Sequence, residues 1–496
     1  MKTHRASPIE IRKEEFKKIG HQLIDDIAEF MDTIGERSVT PVISKASQRN
    51  FISSSALPEN GTSVDEILSN ATDLVINHSL HNGHPRFLGY ITSSAAPLGA
   101  LADMLAASVN PNVGAQILSP VATAIEKQTV RWLAEFIGVS SSYGGILVSG
   151  GNMANFTAFL TARTAKTPKR FKKTGLSKLR SKLLVYCSTA THTWIEKAAV
   201  LFGHGTDAIR WIKTDSSNKL DQKALQRAIE KDLKAGHHPF MVVGTAGDVS
   251  TGVVDNLSEI GGLCKTYDLW FHIDGAYGMP AAVVPELKSL FQGVEAADSI
   301  AIDPHKWLYS PLEAGCTLVK NAQHLQETFS SHPVYYNFSN VNDEQALNYY
   351  EYGLQNSRGF RALKVWLVLQ QVGRSGYIEM IREDIEMAEL LFKLANEHAE
   401  LEAVSQNLSI ATLRYVPLDV SRGKKREAYL NALNEKLLND LQASGELFVS
   451  NAVVSGKYCL RGCVVNFRTS SQDIKEMIKI IVRRGRKVHR MLQAER

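Results

Sequence analysis

The chain has 496 residues, 44% hydrophobic and 22% charged, which is enough to bury a large core and excludes a disordered or collagen-like polymer. Lys and Arg exceed Asp and Glu by 56 to 51, and a net charge of +5 leaves no chain-wide footprint for nucleic acid. The five cysteines, Cys187, Cys264, Cys316, Cys459 and Cys463, are an odd set, four of them in apolar or mixed surroundings. They read as free thiols of a reducing, cytoplasmic compartment, with no metal site.

Residues 1–16 interleave Lys, Arg and Glu without the apolar centre of a signal peptide, and no apolar run approaches the ~20 residues that cross a bilayer. From Pro8 to Leu80, Phe16, Ile19, Leu23, Ile27, Phe30 and Met31 recur at helical spacing, broken by the polar stretch Ser44 to Ser63. Isolated amphipathic helices cannot bury their apolar faces alone, so residues 1–90 are expected to clamp the main body or a second copy of the chain.

Residues 91–375 alternate helical patterns with short β-rich runs: Leu183 to Tyr186, Met241 to Val243, Trp270 to Ile273, Ser299 to Ile302 and Cys316 to Val319. That alternation predicts an α/β domain on a mostly parallel sheet, with ligands bound where loops leave the carboxyl ends of strands. Residues 376–496 predict a smaller α+β domain: a long helix over Ile378 to His398, strands at Ser409 to Tyr415 and Cys463 to Phe467, and a closing amphipathic helix. The basic run Lys166 to Lys182, broken by Pro168 and Gly175 and lacking interleaved aromatics, reads as a solvated loop. The arginines from Arg483 to Arg490 fit the polar face of the closing helix.

Three clusters carry chemistry. Ser149-Gly150-Gly151-Asn152 follows an apolar run and opens a helix, a turn whose backbone N–H groups suit an anion. It is neither a Walker loop nor a dinucleotide fingerprint. Asp274, in His272-Ile273-Asp274-Gly275, is a carboxylate at a strand exit. Lys306, in Asp303-Pro304-His305-Lys306-Trp307, is a lysine at the next strand exit, where desolvation is expected to lower its pKa for Schiff-base chemistry. An anion cradle, a carboxylate for a pyridine nitrogen and an amine for an aldehyde are together the requirements of pyridoxal phosphate.

These motifs, with Ser188 to Ala199 (STATHTWIEKAA) between them, resemble the pyridoxal-phosphate-dependent group II amino acid decarboxylases over nearly the whole chain. His84-Pro85-Arg86-Phe87 followed by Leu101-Ala102-Asp103-Met104-Leu105 resembles the aromatic L-amino acid branch. The resemblance implies the fold type I of pyridoxal-phosphate-dependent transferases, with a seven-stranded sheet, and an obligate homodimer with the site at the subunit interface. It implies that Lys306 binds the cofactor covalently, Asp274 holds its ring nitrogen protonated and His192 stacks on its ring. Gly150, Gly151, Asn152, Asp303 and His305 would contact the cofactor, with Asp303 on the phosphate side, where many relatives have asparagine. In the loop His332-Pro333-Val334-Tyr335-Tyr336, Tyr335, with Tyr336 as the alternative, would supply the proton that replaces carbon dioxide.

The expected substrate contacts are Tyr90, Ser93 and Ser357, and Ser357 resembles a position that favours hydroxyphenyl substrates. Asn82, Ile91 and Thr92 depart from the bulkier residues of the animal enzymes, and Asn112 and Gly114 open the expected interface. The reaction implied is decarboxylation of tyrosine, a catechol amino acid or tryptophan to its amine. An acidic or diamino substrate, or a non-catalytic cofactor-binding relative, stays open.

Overall fold

A computed structural model describes residues 7–41, 56–331, 346–420, 423 and 425–495. Twelve strands among them form two sheets. The first, β1 (Phe87–Leu88), belongs to the smaller sheet. The larger contains β2 (Gly144–Val148), β3 (Leu183–Ser188), β4 (Ile209–Ile212), β5 (His238–Thr245), β6 (Trp270–Asp274), β7 (Ser299–Ile302) and β8 (Gly315–Val319). Its order is β2-β8-β7-β6-β5-β3-β4, and only β8 runs against its neighbours. The mostly parallel seven-stranded sheet expected from the sequence is present, and each of the five β-rich runs lies within an observed strand.

Side chains alternate across a strand, so the two faces of this sheet collect separate cores. Leu184 and Tyr186 of β3 join one with Leu225, Ile229, Leu257 and Ile260. Leu183, Val185 and Cys187 join the other with Phe159, Ala162, Trp194 and Ile195. The helices supplying these residues are the connections between strands. The polar residues that end β5, β6 and β7 are thereby brought together at one edge.

Helices α1 (Lys13–Thr33) and α2 (Val64–His78) form the N-terminal segment, followed by α3 (Pro97–Val109) and α4 (Pro120–Phe136). The small sheet has the order β1-β11-β12-β10-β9, with β9 (Leu401–Asn407), β10 (Ile410–Tyr415), β11 (Phe448–Val454) and β12 (Lys457–Cys463). The expected strand Cys463 to Phe467 is displaced: β12 ends at Cys463. Beyond it the side chain of Asn466 donates to His84 O and accepts from Arg468 N, and this pulls the backbone out of the sheet. The expected helix from Ile378 to His398 is the second part of a 36-residue helix, Ala362–Glu397, interrupted at Gly373 by a φ of 65°. The five cysteines are buried and free. Among the described residues no helix is long and apolar enough to cross a membrane.

Candidate active site

A cavity of about 770 Å³ opens at the carboxyl edge of the large sheet. Gly150, Gly151, Asn152, His192, Asp274, Asp303, His305, Lys306 and Tyr90 all line it, so most of the expected site residues meet in one place. The helix Gly151–Ala165 begins at its wall with Gly150 as N-cap. A helix leaves its first N–H groups without internal partners, and here Gly151, Asn152 and Met153 present theirs from the cavity lining. Gly150 has a φ of 143°, and a Cβ on the facing Gly315 would lie 2.6 Å from Gly150 Cα. Both positions therefore require glycine.

Asp274 ends β6 and is nearly buried. Its Oδ2 accepts from Trp194 Nε1 at 2.8 Å and its Oδ1 from Ala276 N at 3.3 Å. Trp194 lies in the stretch quoted for the family resemblance, but its function as donor was missed. Behind Asp274, His272 is sealed between Ser299 Oγ at 2.9 Å and Asn155 Oδ1 at 2.7 Å, and burial lowers its pKa to about 4. Trp270 Nε1 donates to the same Ser299 Oγ, so the hydroxyl proton points to His272 Nδ1 and the proton on Nε2 points to Asn155. His192 accepts from Trp194 N at Nδ1, 3.3 Å away, which leaves its proton on Nε2. Desolvation against the cavity wall lowers the pKa of His192.

Lys306 follows β7 on a turn closed by its own N–H donating to Asp303 O at 2.9 Å. Its Nζ lies 2.9 Å from Asp303 Oδ2. The sequence argument expected a lowered lysine pKa, and the structure corrects it. Burial does pull the ammonium down, but the carboxylates of Asp303 and Asp274 outweigh burial and raise the value above that of a free lysine. His305 sends its Nδ1 to Ala314 O at 2.7 Å, and burial lowers its pKa.

Two expected substrate contacts are not part of this cavity's lining in the single chain. Ser93 is buried, donates to His305 O at 2.9 Å and does not line the cavity. Ser357 is exposed, beside Arg358, whose N–H donates to Asn112 Oδ1 at 3.1 Å. Tyr90 does stand at the mouth, 60% exposed. Tyr335 and Tyr336 lie outside the described residues. A further residue that the sequence did not single out, Arg461, donates to Tyr90 O at 2.7 Å and to Val249 O, tying two wall segments together.

The match with known proteins is extensive. The model of the pyridoxal-dependent decarboxylase conserved domain matches residues 47–413. The chain belongs to the pyridoxal-dependent decarboxylase family. An aromatic-L-amino-acid decarboxylase of Bacillus atrophaeus is 34% identical over 95% of this chain and 96% of its own length. Tyrosine decarboxylase 4 of Petroselinum crispum is 31% identical over 95% and 93%. A crystal structure of Oryza sativa TDC with PLP and tryptamine superposes with a TM-score of 0.89 at 24% identity, covering 97% of this chain and 99% of that one.

Pyridoxal phosphate is the family's cofactor, and the cavity fits it on its own evidence. Among the described residues the buried Thr245 Oγ1, in the wall, has no hydrogen-bond partner. Buried polar atoms are ordinarily bonded, so this hydroxyl marks a surface built to face a polar group. The glycine cradle and the strand-end amine and carboxylate match the anion, aldehyde and pyridine nitrogen of that group.

Proposed function

We propose that the chain converts an aromatic L-amino acid to the corresponding amine and carbon dioxide. The observation that carries this reading is the convergence of Lys306, Asp274, His192 and the Gly150-Gly151 cradle on one cavity. When bound, pyridoxal phosphate supplies a ring that accepts the electron pair of the breaking Cα–carboxylate bond. Lys306 holds the cofactor and then releases the product amine. Asp274, oriented by Trp194, keeps a proton on the ring nitrogen. His192 covers the ring with its neutral imidazole, while Gly151, Asn152 and His305 fix the cofactor's phosphate end. Tyr335 returns a proton to Cα.

The aromatic preference rests on the decarboxylases of aromatic amino acids among the relatives and on a rim where Tyr90, Ile91, Val249 and Leu312 offer apolar surface. Ser93 is committed to His305 O, so Tyr90 is the substrate contact within one chain. Ser357 would reach the site of a second copy. A homodimer is supported by an exposed apolar row, Leu101, Met104, Leu105 and Val109 on α3 with Ile117, Leu118 and Val121 beyond it. Monomers rarely leave so continuous a patch in water. Residues 1–90 then serve as the clamp, 91–375 as the cofactor domain and 376–496 as the small domain. The buried free thiols suit a cytoplasmic location.

The test is carbon dioxide and amine formation from tyrosine, a catechol amino acid, tryptophan, glutamate and diaminobutyrate, with Lys306→Ala as control. Aromatic amine that disappears in the variant, by a factor of at least ~10³, is expected. Product only from glutamate or diaminobutyrate would overturn the substrate class and retain the chemistry. No product from any of them would overturn both.

A further inference from the structure

Asp303 stands in the cavity wall on the turn that carries Lys306, and its surroundings are unusual for a carboxylate. Its side chain is 1% exposed and its Oδ2 is 2.9 Å from Lys306 Nζ, while His305 Nε2 is 3.9 Å away. Among the described residues no donor meets either oxygen in hydrogen-bonding geometry, and the Lys306 ammonium is the carboxylate's closest charged neighbour. A Cβ on Gly151 would lie 2.7 Å from Oδ2, so the first residue of the anion cradle is a glycine that leaves room for this carboxylate.

The other groups facing Lys306 are differently committed. Asp274, from β6, already accepts from Trp194 and Ala276. His192, from the loop after β3, and His305 are both lowered by desolvation. Cys463, at the end of β12, has its thiol pushed up to about 11 by burial.

We propose that Asp303 is the acid–base partner of Lys306, taking the proton of its ammonium as the amine captures the cofactor's aldehyde, rather than a contact to the phosphate. The proposal rests on the cofactor assignment and not on the substrate class. The step balances. One ammonium proton passes to Asp303, the freed Nζ bonds the aldehyde carbon, and a second Nζ proton passes to the aldehyde oxygen. That oxygen leaves as water with the proton returned by Asp303. A carbon–nitrogen double bond replaces the carbon–oxygen double bond, the nitrogen keeps its third proton, and nothing is oxidised or reduced. Burial alone would lower the lysine's pKa, whereas the carboxylate in this chain holds the proton at the amine and takes it up when the aldehyde arrives.

The experiment strips the purified enzyme of cofactor and follows the appearance of the lysine-bound absorbance with pyridoxal phosphate, and separately with pyridoxal, across a pH series. No turnover is needed, so failure of the decarboxylation reading would leave this readout intact. In the wild-type protein the capture rate should climb with pH. Asp303→Asn should move that climb to lower pH by about one unit or more, because an opposite charge at this range shifts a pKa by that much, and should lower the plateau. The same shift is expected with both aldehydes. Unchanged profiles overturn the proposal. A change confined to pyridoxal phosphate overturns it as well, since it would place Asp303 against the phosphate. Asp303→Glu keeps the charge and is expected to keep the wild-type climb. Should the asparagine variant not fold, loss of that climb in Asp303→Glu overturns the proposal by itself.

Discussion

Buried charge is handled in opposite ways on the two sheets. On the small sheet, Arg414 is 1% exposed, yet its guanidinium meets Glu402 and Glu427 at 2.7 Å each, and Glu402 is also held by Lys457 at 2.6 Å. The acid Glu400 pairs with Arg486 and accepts from Tyr415 at 2.8 Å. The charged groups there are paired within the chain, and such networks fix a fold. At the carboxyl edge of the large sheet, Thr245 presents a buried hydroxyl that has no partner among the described residues, and Asp303 faces the Lys306 ammonium without a hydrogen bond of good geometry. Low-dielectric surroundings make that arrangement costly, so it persists where a ligand repays it. A buried ion pair by itself therefore says little about function, and the orphaned atoms around it say more.

The comparison breaks first at Arg414. Arg414→Ala strips the small sheet of its central cation and leaves a hole. Because Glu402 and Glu427 keep partial access to water, the cost should fall somewhat below that of a fully buried pair, at about 2–4 kcal/mol. The urea midpoint should drop while kcat and cofactor capture per folded molecule stay at wild-type values. A fall in kcat without loss of stability would show that the small sheet's charges are part of the catalytic apparatus after all.

A sharper test uses a buried acid directly beneath the lysine turn. Asp384, on the helix Ala362–Glu397, accepts from Trp307 Nε1 at 2.7 Å and from Tyr309 Oη. Burial lifts its carboxyl to about 7, even though both donors pull it back. The folded chain thus binds this proton more tightly than the unfolded chain. The resulting stabilisation is complete below pH ~4 and is lost as the pH rises through about 7. Between pH 5 and 7 the wild-type protein should lose up to ~2 kcal/mol relative to Asp384→Asn, which carries no titrating group there. Melting temperatures of the two proteins across that range decide it, and parallel curves would remove Asp384 from the account.

The same contrast explains what the sequence makes legible. Gly150-Gly151, Asp274 and Lys306 each sit where an apolar strand ends or a helix begins, so their residue type and local context suffice to place them at the sheet edge. The parallel sheet was legible for the same reason, because its central strands are short continuous apolar runs. What escaped depends on partners distant in sequence. Asp384 lies far along the chain from Trp307, and β1 pairs with β11 across Phe87 and Phe448. The end of β12 is decided by Asn466 reaching His84. Ser93, expected at the substrate, is turned toward the backbone of His305, a choice of rotamer and register that no local pattern encodes. The lysine pKa went the wrong way because burial was visible in the apolar flanks, whereas the orientation of Asp303 on a tight turn was not.

Trp194 gives the smallest expected effect and the finest discrimination. It is fully buried, crosses the His272 ring edge-on at 5.9 Å, and gives its one N–H to Asp274 Oδ2. Trp194→Phe keeps an aromatic plate but removes that donor, so the carboxylate loses the bond that fixes its rotamer, and some packing is lost with it. If Trp194 acts by orienting Asp274 toward the cofactor's ring nitrogen, kcat should fall about tenfold, or ~1.4 kcal/mol in the barrier, with KM for the amino acid nearly unchanged. A residue that only packs would lower the melting temperature and leave kcat per folded molecule alone. The split between kcat and KM thus decides whether the indole belongs with the satisfied scaffold, like Arg414, or with the machinery it touches. Its single hydrogen bond to a strand-end carboxylate assigns it to the second group.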